Sequence, residues 1–268
     1  MFALTIRRLG VMMNAIMNSL ERSLIEKAAV ENGWEYIVAS TVAGVTLASA
    51  RHKARVVIHP SVPPARWAVA VPTGLLRIEL ARSAQWIEAT DGSYSALDIQ
   101  QLALLLRRIA ELALSLPDQA AATYAIKVQE ELAAIQSFGT EVERMVKQRV
   151  GQDTFRQALL DYWGGACAVT GIDQPAVLRA SHAKPWAACK DDKERLNVFN
   201  GLLLTANLDA LFDRGLITFA ADGALRCSSL LPPGQLTSLQ LTSDVRLRWI
   251  ALEHQPFLAW HRENVFVV

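Results

Sequence analysis

Cysteine is scarce. Cys167, Cys189 and Cys227 are the three in 268 residues, and no two stand in a CxxC pair. That excludes a disulfide framework and a four-cysteine zinc ribbon, leaving small buried or idle thiols in a reducing compartment. Long apolar runs are missing too, since none approaches the ~18–20 residues of a membrane span. The opening MFALTIRRLGVMMNAIMNSL carries Arg7 and Arg8, but its apolar stretch is short and broken by Asn14 and Asn18. With no small-residue cleavage site after it, this stretch reads as a strand running into a helix and not as an export signal. A soluble, cytoplasmic protein is the expectation. Charge of one sign is equally absent, with 27 Lys plus Arg against 26 Asp plus Glu. A heavily basic wrapper of nucleic acid is thereby excluded, while a local basic groove stays open. What is plentiful is apolar: 51% of residues, against 20% charged, which allows a sizeable core and rules out global disorder. The length accommodates one large domain or two of roughly 120–150 residues.

Residues 11–31 place Val11, Ile16, Leu20, Leu24 and Ala28 at helical spacing, with Asn32-Gly33 as a stop. Five β-rich runs follow, at 35–40, 45–49, 55–58, 67–71 and 75–80, too closely connected for crossover helices and so expected to be antiparallel. Residues 95–136 return to helix with a break at Pro117, and their leucine and alanine stripes read as core. Gly139-Thr140 is the candidate junction, which divides the chain into an α+β domain at 1–138, a linker or helix at 139–151 and a second domain at 152–268. The first domain shows no metal-ligand spacing, phosphate loop or nucleophile–base pair. Its basic cluster of Arg51, His52, Lys53 and Arg55 is either a solvated strand edge or a phosphate-contacting rim.

Chemistry concentrates in the second half. Residues 152–164 read as a helix ending at Gly164-Gly165, and a strand, a polar loop, a second strand and a short helix follow. Thr205 is placed to cap that helix, Gly215 to end it, and Asp222-Gly223 to turn a hairpin beyond it. Asp209 and Asp213 are four apart, so their carboxylates share one helix face. Such a pair repels itself unless a cation intervenes, and hard oxygen ligands suit Mg²⁺ or Mn²⁺. His182 closes the preceding strand, with Pro185 just beyond. An imidazole near a carboxylate-bound metal is what phosphodiester hydrolysis asks for. Each residue also has a plainer role. A histidine can be buried and satisfied by backbone, Asp209 favours a helix start, Asp213 can pair with Arg214, and Asn200 suits an Asn-Gly turn.

The ordered string CAVTG…ASHAKPW…NGLLL…LDALFDRGLI resembles the HNH (His-Asn-His) nuclease module over residues of about 152–231, and LAWHRENVF resembles a tail often found on such proteins. The resemblance implies a ββα-metal fold for the second domain. It implies His182 as general base, Asn200 as the anchor of the loop that aims it, and Asp209 and Asp213 as metal ligands, with Ser181 where many relatives carry a ligand. Asn207 stands where relatives of this subgroup often have histidine, and the flanking CxxC pairs are missing. Asp at 209 shifts the expected metal from Zn²⁺ to Mg²⁺ or Mn²⁺. Arg179, Lys184 and Arg214 flank the site as candidate phosphate contacts, and Trp186 reads as packing.

The expectation is a metal-dependent endonuclease acting on DNA, with residues 1–138 as a recognition or regulatory module in restriction or defence. A nucleic-acid-binding protein that has lost cleavage and a sensor gating a nuclease are the alternatives. DNA is the expected partner, membrane contact is not expected, and a homodimer is compatible with the sequence.

Overall fold

The computed structural model describes residues 16–83, 85–86, 88–135 and 139–268. The strand expected at the start, and the Val11 end of the first helix, lie outside them. Helix α1 runs Ser19–Glu31. Its start is fixed by Asn18, whose side chain accepts from the Glu21 amide while the Glu21 carboxylate accepts from the Asn18 amide. That reciprocal cap satisfies two amides a helix otherwise leaves orphaned, so α1 begins later than apolar spacing indicates.

Five antiparallel strands follow, hydrogen-bonded in chain order: β1 Tyr36–Thr41, β2 Gly44–Ala48, β3 Arg55–Pro60, β4 Trp67–Ala70 and β5 Ser93–Ala96. Val45, Leu47, Val56, Ile58, Trp67, Val69 and Tyr94 alternate along them and are all buried. They form one core with α1 and with α3 (Ile99–Ser115), whose Leu102, Leu105, Leu106, Ile109 and Leu112 recur at helical spacing. The basic cluster is divided between two fates. Arg51 pairs with Glu35 at 3.0 Å, whereas His52 is buried edge-on against Trp34.

One expected strand is a helix. Residues 75–80 alternate apolar and charged types like a pleat, yet they form α2, Leu75–Arg82. Leu, Arg, Glu and Ala are good helix formers, and the residue buried beside Leu80 is Glu79, which an alternating strand would have exposed. Glu79 accepts from Tyr162 Oη at 2.7 Å and from Arg82 Nε at 3.1 Å. The fifth strand is β5 instead.

Helix α4 is Pro117–Ala133, and α5 runs unbroken from Thr140 to Tyr162. Gly139 therefore opens a long helix, and α5 packs both on α3 and α4 and on the strand pair that follows it. That pair is β6 (Leu178–His182) and β7 (Gly201–Thr205), joined through a loop containing α6 (Asp192–Arg195) and followed directly by α7 (Ala206–Asp213). Thr205 stands at the N-cap of α7 without a capping hydrogen bond from its hydroxyl. Then come β8 (Ile217–Phe219) and β9 (Leu225–Cys227) about Asp222-Gly223, α8 (Pro233–Ser238) and α9 (Gln255–Asn264). His261 fastens α9 down: its ring stacks on Phe212 and bonds Thr218 Oγ1 at 2.9 Å and the Phe212 carbonyl at 3.0 Å. The architecture is mixed helix and antiparallel sheet. No helix of the described residues is long and apolar enough to cross a membrane.

Buried histidines make the fold acid-sensitive. Burial first of all lowers His52, His182 and His261 to about 4 and His254 to about 3. Unfolding frees these rings to bind protons near their ordinary value of about 6.5, so their stabilisation is present above that pH and lost as pH falls. Asp161 and Asp213, raised to about 6 chiefly by desolvation, act in the opposite sense, as does Glu79. The histidines outnumber them. Unfolding free energy measured by denaturant titration is expected to fall from pH 6.5 to 4.5, by on the order of 1–3 kcal/mol per pH unit.

Candidate active site

Side-chain alternation along β6 divides the candidate residues between two faces. Ser181 turns towards α7, where its hydroxyl hydrogen-bonds Asp209 Oδ1. His182, the last residue of the strand, turns towards α5 and stacks on Phe155 with ring centroids 3.7 Å apart and planes 12° apart. Gly201, opposite His182 in the ladder, leaves room for this: a Cβ there would lie 2.4 Å from Phe155 Cζ. Asp209 and Asp213 stand one turn apart on α7, and neither joins an ion pair among the described residues. Partial desolvation, and next the charge of Asp209, raises Asp213 to about 6, although the residue stays exposed at the surface. His182 shares no hydrogen bond with either carboxylate; the link between ring and acid pair is the Ser181–His182 peptide.

The ring of His182 is fixed by its Nε2, 2.9 Å from the Arg195 carbonyl. A carbonyl only accepts, so Nε2 carries the proton and Nδ1 keeps its lone pair. Among the described residues Nδ1 has no hydrogen-bond partner. Burial lowers the ring's pKa to about 4, so it is neutral at physiological pH.

Asn200 is fully buried and ties the loop together. Its Oδ1 accepts from the Lys184 amide at 2.8 Å, and its Nδ2 donates to the Lys184 and Glu194 carbonyls at 3.1 and 3.3 Å. Lys184 turns inward and pairs with Glu194 at 2.8 Å, reinforcing the same loop. Arg195 completes it, donating to the Trp186 and Cys189 carbonyls at 3.2 and 3.1 Å. Arg179 folds back on the Ala176 and Leu178 carbonyls, and Arg214 is exposed at the end of α7. Sequence reasoning had no view of Phe155, Glu194 or the Arg195 carbonyl. Phe155 lies one turn into the helix read at 152–164, and nothing in its spacing marks it; Glu194 and Arg195 sit in a polar run that reads as surface.

His182, Asn200 and Asp209 stand in order on a strand, a loop-anchoring turn and a helix. Residues 167–220 match the family model described as HNH endonuclease. That stretch, in the C-terminal half of the chain, is similar to the HNH endonuclease family. The matched stretch opens at Cys167 and closes at Ala220, so it holds His182, Asn200, Asp209 and Asp213 but neither Phe155 nor any of residues 1–138. No curated protein matches the chain. An HNH endonuclease domain suggests nuclease activity on nucleic acids, and HNH nucleases commonly use a divalent metal.

The donors available to such an ion stand on β6 and α7. They are oxygens: two carboxylates on one helix face and a hydroxyl already touching one of them. Among the described residues no three His, Cys, Asp or Glu gather into a cluster. That set fits a hard cation that retains most of its water, as Mg²⁺ does, and does not fit a closed tetrahedral zinc site.

Proposed function

We propose that the protein is a metal-dependent endonuclease that hydrolyses DNA phosphodiester bonds. The observation carrying this reading is how His182 is held: its Nε2 lies 2.9 Å from the Arg195 carbonyl, which can only accept, so the proton sits on Nε2 and Nδ1 keeps its lone pair. Nδ1 takes the proton from an attacking water, and the ring's fixed orientation removes the need to order it during reaction. Asn200 and the Lys184–Glu194 pair hold the loop whose Arg195 carbonyl aims the ring. Asp209, Asp213 and Ser181 would hold the cation. A divalent ion held there, Mg²⁺ or Mn²⁺, would neutralise charge growing on the phosphate and the leaving oxygen. Arg179 and Arg214 are the proposed contacts to the flanking phosphates; Lys184 joins them only by leaving Glu194.

Residues 1–138 serve in this reading as the recognition or regulatory module, and host-defence restriction is the setting proposed for it. Supercoiled plasmid incubated with the protein is expected to be nicked with Mg²⁺ or Mn²⁺, spared with a chelator, and nicked again on adding the metal back. Equal cutting in the chelator overturns the metal's role, and no cutting under any divalent ion overturns the reading. A second reading, nucleic-acid binding without cleavage, draws on the substitutions at Ser181 and Asn207, which leave a hydroxyl as the third donor and no cluster of three His, Cys, Asp or Glu among the described residues. Salt-sensitive DNA binding with no turnover would establish it.

A further inference from the structure

We infer that Phe155 and Trp186 are positioning residues for the general base, forming an aromatic clamp over His182, Phe155 from α5 and Trp186 from the loop after β6. This rests on the nuclease reading above and concerns residues that reading does not use. Phe155 covers one face of the imidazole at 3.7 Å, and Trp186 meets the ring edge-on, with centroids 5.9 Å apart and planes at 88°. With the Arg195 carbonyl on Nε2, the ring is constrained by a face, an edge and a hydrogen bond.

Two glycines make room for the clamp. Gly201 on β7 lets Phe155 reach the sheet, as described. Gly151 on α5 does the same for Trp186, since a Cβ there would lie 2.4 Å from Trp186 Cη2. Gly151 and Phe155 are four apart on α5, so one helix face serves both aromatics. Phe155 is 2% exposed, and α5 is itself packed on α3 and α4. The orientation of the base therefore depends on a helix anchored in the first half of the chain, outside residues 167–220.

The test uses the full chain and two variants. Phe155→Leu keeps an apolar side chain but removes the flat face. Gly151→Ala adds the Cβ that displaces Trp186, and alanine is the better helix former, so the fold is preserved. With saturating Mg²⁺, kcat for plasmid nicking is expected to fall on the order of 10–100-fold in Phe155→Leu and about 5–10-fold in Gly151→Ala, with KM within about twofold of wild type. In proton NMR the His182 ring carbon-bound protons should be shifted upfield by the Phe155 face in wild type and lose that shift in Phe155→Leu. Folded variants that cut as fast as wild type overturn the clamp alone. So does an unchanged His182 shift. A wild type that shows the upfield shift yet cuts nothing overturns the nuclease reading and the clamp's catalytic use with it.

Discussion

Replacing His182 with alanine is expected to lower the rate of strand cleavage by roughly 10²–10⁴-fold, the usual contribution of a positioned general base. The loss should fall on kcat, because nothing in the geometry has the ring gripping substrate. Nε2 is committed to the Arg195 carbonyl, which leaves Nδ1 for the proton. More metal should not restore the activity, whereas added imidazole should restore part of it by entering the space beside Phe155. Thermal melting separates this chemical loss from unfolding, since the vacated ring also packs on Phe155. Wild-type rates in a folded His182→Ala protein would remove the proposed base.

Replacing Asp209 with asparagine should cost on the order of 10²-fold or more in rate, a few kcal/mol of charge stabilisation at the phosphate. The pattern of this loss differs from the first. Asp209→Asn keeps the shape of the side chain and its contact with Ser181 while removing one of two negative charges. Cation affinity drops, so raised Mn²⁺ should recover activity that it cannot recover in His182→Ala. Asp213, raised partly by the charge of Asp209, should move back towards ordinary carboxyl behaviour, visible in its carbon-13 titration. A variant with unchanged metal dependence would place the cation elsewhere.

Local signals carried much of this site. The four-residue spacing of Asp209 and Asp213 sets one helix face, and α7 delivers it. Asn200-Gly201 reads equally well as a turn; in the fold Asn200 is fully buried and hydrogen-bonds across the loop. Asp222-Gly223 turns the β8–β9 hairpin as its chemistry requires. Residues 75–80 misled because period-two alternation and helix propensity compete over so short a run. The outcome turned on Glu79 finding Tyr162 eighty-three positions away. Phe155 was illegible for the same reason. Its meaning lies in a ring on another element, and one sequence offers no trace of a contact that only tertiary packing creates.

The proton on His182 tests the central claim most directly. A long-range nitrogen–proton NMR spectrum of the imidazole at neutral pH should show one neutral tautomer, with Nε2 protonated and Nδ1 bare. A proton on Nδ1, or rapid exchange between both tautomers, would contradict it, because Nδ1 would then have no lone pair held ready to accept a proton.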